Sequence, residues 1–237
     1  MNTNDDPKSL AAERWFGYGR WDARFWFVGK EPGGPGEPEQ YASWLRLGGG
    51  ELIDCRAHDR DCAVSEDAMV WHGSGGRLQP TWRPLIASLL SYSGAVEYDK
   101  DAVWRYQDAQ WGSTSGETAL VELSAIAAPS TSAAEALRLT HLPERVATIR
   151  SRIAEHRPDF VLFYGAGRDP VRGVPYLERW SEIAGMTLEP NVVERRDGTV
   201  YVATPHPTAR GLTNAFWIEL GRRLAQGDPA AGPRSIQ

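Results

Sequence analysis

Hydrophobic positions in this chain fall into two kinds of pattern, near-continuous runs and helical stripes. "RFWFV" (Arg24 to Val28) and "DFVLFYGAGR" (from Asp159) are apolar runs without alternation, which predicts strands buried on both faces. "TALVELSAIAAPS" (from Thr118) predicts another core strand, broken at Pro129. Helical spacing predicts a short helix over Pro38 to Leu47, with Tyr41, Trp44 and Leu45 on one side. "PTWRPLIASLLSYSG" predicts a second helix, entered at Pro80 and Thr81 and left at Gly94. "SAAEALRLTHLPERVATIRSRIAEHRP" reads as helix interrupted at Pro143, with Arg138, Arg145, Arg150, Arg152 and Arg157 on a solvated face. A helix around Val174 to Ala184 follows. "LEPNVVERRDGTVYVAT" then predicts a hairpin turning at Asp197-Gly198. The last helix is N-capped near Thr213.

Strands alternating with helices predict an α/β fold, a three-layer α/β/α sandwich around a mostly parallel central sheet. One domain over residues 13–226 is expected, with flexible tails at 1–12 and 227–237. Gly48 to Gln79 has little periodicity and reads as a long, partly irregular excursion. Ligands of such sheets bind outside the carboxyl ends of the strands. That singles out the loops after Val28, after "ALVELS" and after "VYVAT".

Composition narrows the chemistry. The 237 residues are 41% hydrophobic and 24% charged, enough to bury one sizeable core. The polar, acidic start is neither a secretory signal nor a basic transit peptide, and no apolar run has membrane-spanning length. Two cysteines cannot form a four-thiolate cluster, so a reducing, cytoplasmic setting with no metal and no cofactor is expected. A net charge of −5 denies the chain a global attraction for nucleic acid, so any such contact needs a local basic face. Ten tryptophans are mostly core material, though "VWHGSGGRLQPTW" sets some of them in a glycine-rich loop.

Three segments carry candidate chemistry. In "GKEPGG", glycines at 29, 33 and 34 admit positive φ and close approach to a ligand, and Pro32 stiffens the turn. Lys30 and Glu31 stand side by side there. A tight turn with a surface ion pair accounts for the stretch equally well, and it has no Walker or dinucleotide spacing. In "TPHPTARG", His206 lies between two prolines that restrict its imidazole, and a pairing with Glu31 would make an acid/base couple. Glu122 lies within an apolar strand, where a carboxylate needs donors. It is either salt-bridged to an arginine or a base-reading acceptor.

The ordered set G-x-x-P-G after a buried strand, a polar residue in a middle strand and a late H-P-T loop before a helix resembles the uracil-DNA glycosylase superfamily. The resemblance runs over roughly residues 20–225. It implies that fold, DNA as partner and cleavage of an N-glycosidic bond. On matching positions, Glu31 activates or positions water against the sugar C1′, and His206 stabilises the departing base. The chemistry is consistent with this, because an oxocarbenium-like sugar wants an anion beneath it and the leaving base wants a donor.

Departures from the family pattern point to the substrate. The two cysteines cannot hold the iron–sulfur cluster of many members. Gly33 stands where uracil-specific enzymes place a tyrosine, which leaves room at C5 of the base. Glu122, or Ser124 on a slipped alignment, occupies the base-reading position. An anionic Glu122 accepts from the N4 amine of cytosine and repels the O4 of uracil. The expectation is therefore a DNA glycosylase for a 5-substituted cytosine, such as the hydroxymethyl or glucosyl forms of phage DNA, acting in antiviral defence. Gly29, Lys30, Pro32, Gln79 and Trp82 complete the expected base pocket.

The partner is expected to be double-stranded DNA carrying a modified base, bound by a monomer. Base flipping would be assisted by Arg210 and Leu212 as a wedge, with Ser130, Thr131, Pro207 and Thr208 holding phosphates. Uracil or thymine mismatch repair, an inactive modified-DNA binder and an enzyme of free nucleosides remain alternatives.

Overall fold

Alternate residues of the 25–29 run pack into opposite layers, which is why the run is hydrophobic throughout. Phe25 and Phe27 face one core cluster, and Trp26 and Val28 face the other. The computed structural model describes residues 6–32, 38–63, 65, 68–127, 135–166 and 176–227; Gly33, Ser130 and Thr131 lie outside the described residues. Helix α1 (Pro7–Arg14) leads into the two-residue strand β1 (Gly17–Tyr18) and the first core strand β2 (Phe25–Gly29). Next come α2 (Pro38–Arg46), the short β3 (Leu52–Ile53), α3 (Cys55–Cys62), α4 (Trp82–Tyr92) and α5 (Lys100–Ala109). Strand β4 (Thr118–Glu122), α6 (Glu135–His156), β5 (Phe160–Tyr164) and α7 (Tyr176–Ala184) follow. The hairpin of β6 (Val193–Arg196) and β7 (Thr199–Thr204) precedes α8 (Asn214–Gly227).

The seven described strands form one sheet in the order β3-β1-β4-β2-β5-β7-β6. Its central four, β4, β2, β5 and β7, are parallel, while β1 pairs antiparallel with β4 and β6 with β7. Helices α4, α5 and α8 cover one face, and α6 and α7 cover the other. The result is an α/β/α sandwich with a mostly parallel sheet. A third apolar cluster, between α1, α2 and the segment after β4, closes the edge carrying β1 and β3. No described helix is long and apolar enough to cross a membrane.

Several expectations need correction. Residues 7–12, taken as part of a flexible tail, belong to α1, whose Ala11 and Ala12 are buried against α2 and α6. Asp6 caps that helix through a bond from Ser9 N. Leu45 is exposed, and only Tyr41 and Trp44 of its expected stripe are buried. Pro143 lies inside α6 without ending it, because the stripe of Leu142, Val146, Ile149 and Ile153 on the sheet outweighs one lost hydrogen bond. The short strands β1 and β3 were also unforeseen, as were two helices. One is the α3 turn-out, capped by Asp54, and the other is α5, capped by Asp99 and buried through Val103, Tyr106 and Gln107.

Arg145 overturns its assignment to a solvated face, being only 2% exposed. Its guanidinium donates to the carbonyl oxygens of Leu123, Ala12, Trp15 and Glu122 at 2.8, 3.2, 2.9 and 2.8 Å. It also lies 4.1 Å over the ring of Phe16. Arginine suits this position because its planar fork can serve several carbonyls at once. It ties the end of β4 to the chain leaving α1.

Candidate active site

The carboxyl ends of the parallel strands meet at one sheet edge. Register places Gly29 beside Glu122, and Tyr164 beside Thr204, with Val28 beside Phe163. Glu122, Gly29 and Tyr164 are therefore neighbours on the same face of three adjacent strands. Glu122 and Tyr164 are separated by the width of β2, about 10 Å between their backbones at the usual strand spacing. Gly29 has no side chain to stand between them, and Tyr164 Oη donates to Glu122 Oε1 at 2.9 Å over its bare α-carbon. A Cβ at Gly29 would overlap the Tyr164 hydroxyl and meet Glu122 Oε2 at 2.5 Å. Gly29 is not among the residues with positive φ, so its value lies in the missing side chain and not in the turn geometry expected of it.

A cleft of about 310 Å³ opens over this bond. Lys30, Glu31 and Pro32 line it from the loop after β2, and Gln79, Thr81 and Trp82 from the entry to α4. Glu122, Tyr164 and His206 complete the wall. Seven of these positions had been named from sequence: Lys30, Glu31, Pro32, Gln79, Trp82, Glu122 and His206. Thr81 and Tyr164 had not been assigned to the site. Tyr164 was legible as a polar ending on the third apolar run, but only the strand order makes it the partner of Glu122.

The excursion before α4 is held by buried polar groups. Asp59 accepts from Trp71 N at 3.0 Å and pairs with His72 Nδ1 at 2.9 Å, and these contacts hold its carboxyl below the usual range against the opposing effect of burial. Gln107 donates to the carbonyls of Trp71 and Arg77 and accepts from Gln79 N. Gln79 in turn caps α4, its Oε1 accepting from Thr81 N at 2.5 Å and Trp82 N at 2.7 Å. Its amide NH2 makes no hydrogen bond among the described residues. Trp71 packs edge-on against Trp82, which presents an aromatic surface to the cleft.

Electrostatics distinguish the ionisable groups. Burial pushes the Glu122 carboxyl up to about 8, with the nearby Glu31 charge adding to the effect, while Tyr164 and Arg145 oppose it. Glu122 Oε2 is buried with no hydrogen-bond partner among the described residues. These surroundings push the group toward the neutral acid and away from the anionic form on which rejection of uracil depends. Burial lowers His206, and the positive charge of Lys30 adds to it. His206 Nδ1 accepts from Thr208 N at 3.3 Å and lies 2.9 Å from Thr208 Oγ1, so the neutral ring carries its hydrogen on Nε2. The ring also stands edge-on to Tyr164, 6.1 Å between centroids. Lys30 Nζ lies 4.5 Å over the ring of Tyr176, and its stem crosses Gly165.

The remaining expected site residues are placed elsewhere. Ser124 is buried, its hydroxyl accepts from Ile126 N, and it does not line the cleft. Leu212 is half-buried and packs on the core under α8, which is unlike a free wedge. Arg210 and Thr208 are exposed and Pro207 is buried, and none of the three lines the cleft. No protein-family model matches the chain, and no curated protein matches it.

Proposed function

We propose that this protein is a DNA glycosylase of the uracil-DNA glycosylase type, cleaving the N-glycosidic bond of a pyrimidine nucleotide flipped out of the duplex. The observation that carries the reading is the meeting of Glu31, His206 and the Glu122–Tyr164 pair in one cleft at the carboxyl ends of parallel strands. The cleft's volume of about 310 Å³ suits one heterocycle better than a dinucleotide. Trp82 offers the base a stacking surface.

In this reaction the C1′–N1 bond breaks heterolytically and its electron pair leaves with the base. Glu31, as carboxylate, lies beneath the positive sugar, orients water against C1′ and takes the proton that water releases. The Nε2–H of neutral His206 donates to the negative charge that develops on the base oxygen. A neutral imidazole suits that role, since it polarises without handing over a full proton. Lys30 brings positive charge to a chain whose net charge is −5 and supports the phosphate next to the flipped nucleotide.

The test is base release from duplexes carrying a single uracil, 5-hydroxymethylcytosine or glucosylated 5-hydroxymethylcytosine, read as abasic sites. Wild-type protein should release at least one of these bases. Glu31→Gln should lower the rate by about 100-fold or more while duplex affinity stays within a few-fold. Binding should weaken steeply with added salt. No release from any duplex, or a salt-insensitive affinity, would remove DNA as the substrate.

A further inference from the structure

Glu122 is a carboxyl that its surroundings do not equip to be an anion. A buried carboxylate needs several donors, and Glu122 has one among the described residues, the Tyr164 hydroxyl. The charged and titratable groups facing it come from every neighbouring element. Glu31 and Lys30 lie on the loop after β2, and His206 on the loop after β7. Tyr18, on β1, stands in register with Leu120 of β4, and its hydroxyl is bonded to His58 Nδ1 at 3.0 Å. Arg145, from α6, is the nearest buried cation, but its nitrogens are occupied by four carbonyl oxygens and give the carboxyl only a distant field.

The two carboxyl oxygens are not equivalent. Oε2 is closed off over Gly29 without a partner, so neither a proton nor a ligand is satisfied there. Oε1 is the oxygen shared with Tyr164, and Glu122 reaches the cleft while Oε2 does not reach solvent. In the acid form Oε1 carries the hydrogen, which it offers to an acceptor in the cleft or to the Tyr164 oxygen. In the anionic form Tyr164 donates to Oε1, whose other lone pair accepts from whatever the cleft holds.

We propose that the Glu122–Tyr164 pair selects the substituent at position 4 of the pyrimidine by its protonation state: the acid donates to a 4-keto oxygen, and the anion accepts from a 4-amino group. This deepens, and rests on, the reading of the cleft as a DNA glycosylase site. It makes base preference a function of pH, with keto pyrimidines favoured at neutral pH and amino pyrimidines in alkali. Burial supports the same order, holding the carboxyl as an acid up to about pH 8.

The experiment measures kcat/KM for two duplexes with the same 5-substituent, one carrying a 4-keto and one a 4-amino pyrimidine, from about pH 6.5 to about pH 9.5. The keto-to-amino ratio should fall by about tenfold per pH unit. Tyr164→Phe removes the donor that favours the anion and should move the curve for the keto duplex to higher pH. Glu122→Gln, which neither gains nor loses a proton, should give a flat ratio. Independently of any activity, infrared titration of the wild-type protein should show the C=O band of a protonated carboxyl at neutral pH that disappears in alkali. Absence of that band at neutral pH, a flat wild-type ratio, or a slope surviving in Glu122→Gln would overturn the selector. Failure of the parent reading looks different: the band is present but neither duplex loses its base, which removes the glycosylase and the selector together.

Discussion

Tyr164 and Glu122 belong to strands that do not touch, and they are joined by a 2.9 Å hydrogen bond across the bare α-carbon of Gly29. The β4-β2-β5 order, the shared register and the glycine at the end of β2 are each required for it. The bond sets the floor of the cleft, and most of what can be tested about the site follows from it.

Gly29→Ala should separate the pair. The new methyl would overlap the Tyr164 hydroxyl and crowd Glu122 Oε2, and the loop after β2 would have to shift. A stability loss of about 1 to 3 kcal/mol in urea melts is expected, the usual cost of overpacking a closed site. Base release should fall further than that loss explains at a temperature where the variant is folded. Wild-type kinetics and stability in this variant would show that the site tolerates a side chain there.

Glu122 should make folding stability depend on pH in an unusual direction for a carboxyl. In the unfolded chain it loses its proton near 4.5, and in the folded protein near 8. The folded state therefore holds the extra proton between those values, and its contribution is whole below about 4.5 and lost as pH rises through about 8. The slope in that window is at most about 1.4 kcal/mol per pH unit. Subtracting the Glu122→Gln curve isolates this contribution from other groups. A difference that is flat, or that rises with pH, would mean that Glu122 is ionised when buried.

Lys30→Met should raise the pKa of His206. Lys30 lowers it by placing a positive charge near the imidazolium, and removing that charge favours protonation while burial still opposes it. Titration of the histidine ring signals by NMR reads the shift directly. If Lys30 only steadies Tyr176 and is electrically remote, the His206 titration will not move.

Arg145→Met should cost about 3 to 5 kcal/mol, because it leaves carbonyl oxygens of α1 and β4 buried without donors. Arg145→Lys should recover part of the loss, since an ammonium can serve some of these acceptors but not all. Denaturant midpoints and m-values check both variants. A methionine variant as stable as wild type would mean that water enters to replace the guanidinium.

Period and burial were legible along the chain wherever a segment's own pattern decided its environment. Continuous apolar runs marked β2 and β5 because a strand covered on both faces has no polar side to keep. The Asp197-Gly198 turn was legible because both residues take positive φ there. From the strand ends and the two proline-bounded loops, the sequence also singled out Lys30, Glu31, Glu122 and His206. Tertiary structure decided what those residues face. Arg145 looks like any surface arginine until α1 and β4 surround it with carbonyls. Tyr164 becomes the partner of Glu122 only when β2 is inserted between their strands. Glu122 becomes an acid only when the fold removes water and offers a single donor. Hydrophobic periodicity is a local property of consecutive residues, whereas desolvation and strand adjacency belong to segments distant in the chain, so no reading of one segment alone contains them.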